Sequence, residues 1–151
     1  LEEEQSFKEL IKAISGIQLR WASTPSIWPV KGWVTSSFGP RTSPFTGRLA
    51  IHNGLDIAAH RGTPVVAPAV GVVIHAGYDN ELGRRVFINH GFGKKTIFGH
   101  LNKQVVQSGQ DVQRGDVIGY VGSTGKATGP HLHYEVRINN VPVDPMRYIL
   151  N

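Results

Sequence analysis

Cysteine is absent from the 151 residues, which excludes disulfides, thiolate metal sites and cysteine nucleophiles together. Any transition metal bound here must be held by histidine and carboxylate. Long apolar runs are also missing. None approaches the ~18 residues that suggest a membrane-spanning helix, so no membrane span is expected. Methionine occurs once, at Met146, and the chain opens on Leu1. It therefore reads as an excised or processed piece, with any signal or anchor lost upstream. Acidic residues are outnumbered, 11 against 16 Lys and Arg, leaving a net charge of +5. That balance favours anionic partners such as nucleic acid or acidic polymers. The basic residues are scattered, however, with Arg84-Arg85 and Lys94-Lys95 as the densest clusters. No aromatic-interleaved basic stripe accompanies them, and nucleic acid is not expected as a partner.

The first stretch has a helical texture. Phe7, Leu10, Ile11, Ile14 and Ile17 recur at three- and four-residue steps, and Glu2, Glu3 and Glu4 suit the positive end of a helix dipole. Gly16 and then Thr24-Pro25 end or interrupt the pattern. Residues 1–24 thus read as a short N-terminal amphipathic α-helix and linker, packed on the domain or forming the end of a coiled coil with an upstream partner. From Pro25 onward the texture changes, with all nine prolines and most of the 18 glycines punctuating short runs of Val, Ile, Thr and aromatics. This is all-β punctuation. The strands expected are Trp33–Ser37, Pro64–Pro68, Gly71–Ala76, Arg85–Asn89, Lys95–His100, Val117–Val121 and His133–Ile138. Residues 25–151 read as one β-sandwich-like domain.

Seven histidines carry the candidate chemistry. In Ile51-His52-Asn53-Gly54-Leu55-Asp56-Ile57, extended chain puts side chains four residues apart on one face, so His52 and Asp56 can point at one ion. A loop histidine beside a turn-capping aspartate is the alternative. The segment from His131 to Ile138 alternates strictly, placing His131, His133, Glu135 and Arg137 on one face and Leu132, Tyr134, Val136 and Ile138 on the other. The apolar face serves a core; the polar face serves either solvent or a metal. Together the two segments supply two histidines and one carboxylate, a set suited to zinc, with a further histidine left for proton transfer. His100 lies at a strand end in Phe98-Gly99-His100-Leu101, where nothing local marks it as a ligand. His60, His75 and His90 read as surface, satisfied or turn-capping positions.

The ordered motifs resemble the lysostaphin-type (LytM domain) zinc endopeptidases, which cut peptide cross-links in bacterial peptidoglycan. The resemblance runs from Trp28 to Tyr148. It rests on Ser37-Phe-Gly-Pro-Arg41, His52-Asn-Gly-Leu-Asp56-Ile-Ala58, Gly62-Thr-Pro-Val65, Phe98-Gly-His100-Leu101 and Gly122-Ser-Thr-Gly-Lys126 leading to Gly129-Pro-His131-Leu-His133-Tyr-Glu135. It implies a mainly antiparallel β-domain with the site in a groove. It also implies one Zn2+ per chain on His52, Asp56 and His133, with His100 and His131 as the catalytic pair that orients or deprotonates water and stabilises the oxyanion. Peptidoglycan stems or cross-bridges are the implied substrate, and the implied location is extracytoplasmic, whether periplasmic, cell-envelope or secreted. Phe98 departs from the tyrosine of many relatives, removing one polar contact.

Two other classes compete with this reading. A non-catalytic LytM-like domain that activates a cell-wall amidase characteristically lacks ligands, whereas all five positions are filled here. A biotinyl or lipoyl carrier is suggested by the glycine-punctuated stretches around Gly71 and Gly115, but no lysine has the required hairpin setting. Selectivity between glycine bridges and D-alanyl to diaminopimelate links is expected to lie in the loops Thr42–Ala50, Tyr78–Arg84 and Lys103–Asp111.

Overall fold

The structure, a computed structural model, describes residues 20–150. The expected helix over residues 1–24 lies almost wholly outside the described residues. Beyond Pro25 the chain is built from short strands, as the Gly and Pro punctuation predicts. These are β1 (Trp33–Ser36), β2 (Gly39–Thr42), β3 (Leu49–His52), β4 (Leu55–Ala58), β5 (Pro64–Val66), β6 (Gly71–Asp79), β7 (Gly83–Gly91), β8 (Lys94–Gln104), β9 (Asp111–Val112), β10 (Val117–Val121), β11 (His131–Ile138) and β12 (Val141–Val143). A single 3-10 turn at Pro145–Arg147 comes last. All strand pairings are antiparallel.

The main sheet runs β1-β4-β11-β8-β7-β6-β9, while β2 and β3 form a separate two-stranded sheet. A branch leaves the far end of β8, where Leu101 to Gln104 pair with β10, which in turn pairs with β5. Val65, Ile118 and Val121 from that branch join Val86, Phe98, Leu132, Tyr134 and Val136 of the main sheet in one core. The alternation in β11 works as the sequence predicts: Leu132, Tyr134 and Val136 are fully buried on the apolar face. The central position of β11, between β4 and β8, makes its polar face a fixed platform.

All seven expected strands are present, some with shifted ends. Five short ones, β2, β3, β4, β9 and β12, were not anticipated. The stretch from His52 to Asp56 is not one extended segment. The chain leaves the small sheet at His52, bends at Asn53-Gly54 and enters the main sheet at Leu55. At the bend, a Cβ on Gly54 would collide with the Tyr134 carbonyl, so only glycine lets this crossing lie flat against β11.

Candidate metal centre

Asp56 on β4 and His133 on β11 are directly opposed in the register, and His133 faces Gly99 of β8 on its other side. His52 arrives from the small sheet, where it pairs with Gly39. The three side chains are buried and converge. Asp56 Oδ1 lies 3.0 Å from His133 Nδ1 and 3.3 Å from His52 Nε2, and the two nitrogens are 3.4 Å apart. Zinc bonds of about 2.0–2.1 Å at tetrahedral angles set ligand atoms about 3.3 Å apart. The triangle therefore has the size of one tetrahedral face.

The hydrogen bonds fix which ring nitrogens are free. The Ser37 carbonyl, 3.0 Å from His52 Nδ1, can only accept, so that nitrogen carries the proton and Nε2 keeps its lone pair toward the centre. Glu135 Oε2 does the same for His133, accepting from Nε2 at 2.8 Å and leaving Nδ1 for a metal. Glu135 is in turn gripped by Arg137, whose Nε and Nη2 reach Oε1 at 3.0 and 2.9 Å. The outer oxygen of Asp56 accepts from Arg41 Nη1 at 2.7 Å, and the same nitrogen donates to Ser36 Oγ at 2.9 Å. One oxygen of Asp56 is thus occupied by a guanidinium while the other faces the two imidazoles. These are the orienting partners that metal-ligating residues require.

Ionisation follows from this packing. Burial alone would raise the Asp56 pKa, but the neighbouring imidazoles, His133 above all through its hydrogen bond and its charge, hold it well below the usual carboxylate range. Burial disfavours the His133 cation, yet hydrogen bonds and charges from Asp56 and Glu135 outweigh it and push the group up to about 9. Without a metal, the ring holds a proton on each nitrogen, one for each carboxylate.

His100 and His131 stand beside this triangle with their rings 4.6 Å apart, and the His100 ring lies 6.2 Å from that of His133. His131 Nε2 is 3.8 Å from Asp56 Oδ1. Their tautomers are set in the same way. The Thr124 carbonyl takes the Nδ1 proton of His100 at 2.8 Å, and the Gly129 carbonyl takes that of His131 at 2.9 Å. Each presents an Nε2 lone pair. Burial depresses the His100 pKa, helped by the charges of His131 and His133 and opposed by the Thr124 hydrogen bond and Asp56, to about 4. It is a neutral base at physiological pH.

The position of His100 depends on a β-bulge. Arg84 of β7 pairs with Leu101 and Val86 pairs with Phe98, so two steps on β7 oppose three on β8. His100 takes the left-handed conformation, φ 62°. The extra residue lets Phe98 and Leu101 both enter the core while His100 turns to the metal side.

All five residues singled out in the sequence come together. Arg41 and Glu135 were not assigned there. Glu135 carried a signal, since it shares the polar face of β11 with His133; Arg41 closes the Ser37–Arg41 motif, but its contact with Asp56 spans two sheets and is not written in local spacing. The remaining histidines lie apart: His60 is exposed, and His75 accepts from Arg85 Nε at 3.2 Å. His90 is buried between the Val70 carbonyl and Thr96 Oγ1, at 2.8 and 2.6 Å.

Fold and site together define a class: an antiparallel β-domain carrying a candidate His-Asp-His metal centre flanked by two further histidines, His100 and His131. The chain belongs to peptidase family M23, whose family model matches residues 50–145. It is 45% identical over 117 residues to the DD-carboxypeptidase/endopeptidase Mpg of Neisseria meningitidis serogroup B, covering 78% of this chain and 27% of that protein. It is 44% identical over 115 residues to the peptidoglycan DD-endopeptidase ShyB of Vibrio cholerae, covering 76% and 27%. A solved zinc-containing peptidase from Vibrio cholerae superposes with a TM-score of 0.76 at 42% identity, over 82% of this chain and 39% of that one. The chain thus spans about a quarter of the length of the two curated relatives, 27% in each case.

Proposed function

We propose that residues 25–151 form the peptidase domain of a zinc metalloendopeptidase that hydrolyses peptide cross-links of bacterial peptidoglycan, acting outside the cytoplasm. One zinc per chain is held by His52 Nε2, Asp56 Oδ1 and His133 Nδ1. The observation that carries this reading is the ligand triangle of 3.0 to 3.4 Å, with the far nitrogen of each imidazole held by an acceptor so that the near one faces the centre. The names of the relatives support a bond between two D-centres as the one cut.

Bound there, zinc supplies the Lewis acidity that makes water a nucleophile near neutral pH and polarises a carbonyl. The chain's own groups supply the rest. His100 and His131 each offer an Nε2 lone pair, so one takes the proton of the attacking water. The protonated ring then donates to the leaving amine, while the other histidine stabilises the developing oxyanion only as the imidazolium, donating from an Nε2 that has taken a proton from solvent. Arg41 and Glu135 hold the ligands still through these steps.

The test is purified cell wall treated with zinc-loaded protein, read by mass spectrometry for new amino termini. Cleavage at D-alanyl links to the diamino acid is expected, with loss on chelation. Zinc-loaded protein that opens no cross-link would sink the assignment.

A further inference from the structure

Beside the metal centre runs a groove of about 430 Å3, bordered by Thr35, Ser36, Arg41, Thr128 and His131 among others. Of the residues that line it, Arg41 is the one cation and Asp56 the one anion. Arg41 is anchored by one nitrogen only: Nη1 serves both Ser36 Oγ and Asp56 Oδ2. Its Nε and Nη2 have no acceptor among the described residues, and its side chain is 30% exposed. A guanidinium presents Nε–H and Nη2–H side by side, the edge that matches a carboxylate with two parallel hydrogen bonds.

The charge balance favours an anion at that edge. With a divalent cation held by Asp56 and two neutral imidazoles, the centre carries one net positive charge, and Arg41 adds another within salt-bridge distance of the ligand set. The remaining border offers hydroxyls and small residues rather than carboxylates.

We propose that Arg41 reads the charge of the substrate, its free Nε/Nη2 edge binding the carboxylate on the carbon that bears the leaving amine. This rests on the proposed DD-peptidase activity. The chemistry fits because bonds cut by DD-carboxypeptidase and by DD-endopeptidase share that feature: the leaving D-residue carries a free carboxylate next to its amine. A glycine bridge, whose leaving glycine has its carboxyl tied up in the next amide bond, has none there. Arg41 thereby links ligand positioning to substrate choice through opposite sides of one planar group.

Two measurements on the zinc-loaded 151-residue chain test this. The first compares hydrolysis of N-acyl-D-alanyl-D-alanine with its C-terminal amide. A charge-assisted pair predicts that kcat/KM favours the free acid roughly 10- to 100-fold. Arg41→Gln should bring the ratio to within about threefold of unity, and Arg41→Lys, a point charge without the fork, should fall between. A purely structural role for Arg41 would lower both substrates in proportion and leave the ratio unchanged, which would overturn the proposal. The second follows the Arg41 Nε–H resonance on titration with N-acetyl-D-alanine and with N-acetyl-D-alaninamide. Movement with the acid alone is expected; no movement, or acid binding undiminished in Arg41→Gln when followed on the backbone amides of Thr128 and Gly129 in the groove, overturns it. If neither these peptides nor the cross-links of purified cell wall are hydrolysed while the resonance still responds to the acid, the peptidase reading fails and the anion site stands.

Discussion

Asp56 and His133 face each other across β4 and β11, Oδ1 to Nδ1 at 3.0 Å, and in the metal-free protein the atom between them is a proton. A metal bound by both must displace that proton. Because the folded His133 pKa is raised to about 9, from an ordinary 6.5, zinc competes with it across the whole neutral range. Apparent zinc affinity should rise about tenfold per pH unit until it levels near pH 9, as expected for one displaced proton. The same shift gives the metal-free fold a contribution that is fully present below about pH 6.5 and lost as pH rises through about 9. Chelator competition across that window checks the first statement; a pH-independent affinity would contradict it.

The two pairs of histidines should separate cleanly by assay. His133→Ala removes a metal-ligand bond and should lose zinc on dialysis. His100→Ala leaves the triangle intact and should keep zinc while kcat falls by about 10²- to 10⁴-fold, the scale of a lost acid-base group. Metal analysis alongside single-turnover kinetics distinguishes them. Equal zinc loss in both variants would refute this division of roles.

Glu135 should prove to be a positioning residue. Glu135→Leu leaves His133 Nε2–H without an acceptor and frees Arg137, and zinc affinity should drop about 10- to 100-fold. Glu135→Gln keeps an oxygen for that N–H and should lose less. If the leucine variant binds zinc like the parent, the tautomer does not depend on this carboxylate.

Tyr134 gives a stability test remote from the chemistry. Its ring lies 5.4 Å from that of Phe98 in the core, and its hydroxyl is buried with no hydrogen-bond partner among the described residues. Burial pushes its pKa upward, so it stays neutral. Tyr134→Phe removes an unsatisfied polar atom and keeps the ring, which should stabilise the fold by about 1 kcal/mol. For a chain of this size that raises Tm by about 2–4 °C. Calorimetry showing a fall instead would mean the hydroxyl has a partner.

The legible parts of the molecule were those written in local period. The alternation from His131 to Ile138 specified both faces of β11, because a two-residue repeat needs no knowledge of neighbours. His52 and Asp56 do converge, but by a different route from the one the spacing suggests. They belong to different sheets, and the bend at Gly54 brings them together. The strands β2, β3 and β4 were missed for the same reason: each is four residues long, too short for a pattern to outweigh the turns around it. His100 became a candidate through family resemblance, since a bulge is a mismatch between two strands and neither strand records it alone. Arg41 belongs to the Ser37–Arg41 motif, but its role arises where one sheet lies across another, which the motif does not record.

The bulge at His100 has a further consequence. A β-strand has a phase, and one extra residue is a half-period step, so β8 is in effect two strands joined out of phase. The first half directs Phe98 to the core; the second directs Leu101 there and continues into the pairing with β10. Deleting one residue at the seam would send the error forward through Leu101 to Gln104, turning Leu101 outward and setting β10 against the wrong partners. The imidazole at that point therefore cannot be moved by shortening the strand without dismantling the branch beyond it. Side-chain substitution can silence this site, but length changes in β8 would be purged as folding defects before any effect on chemistry could be seen.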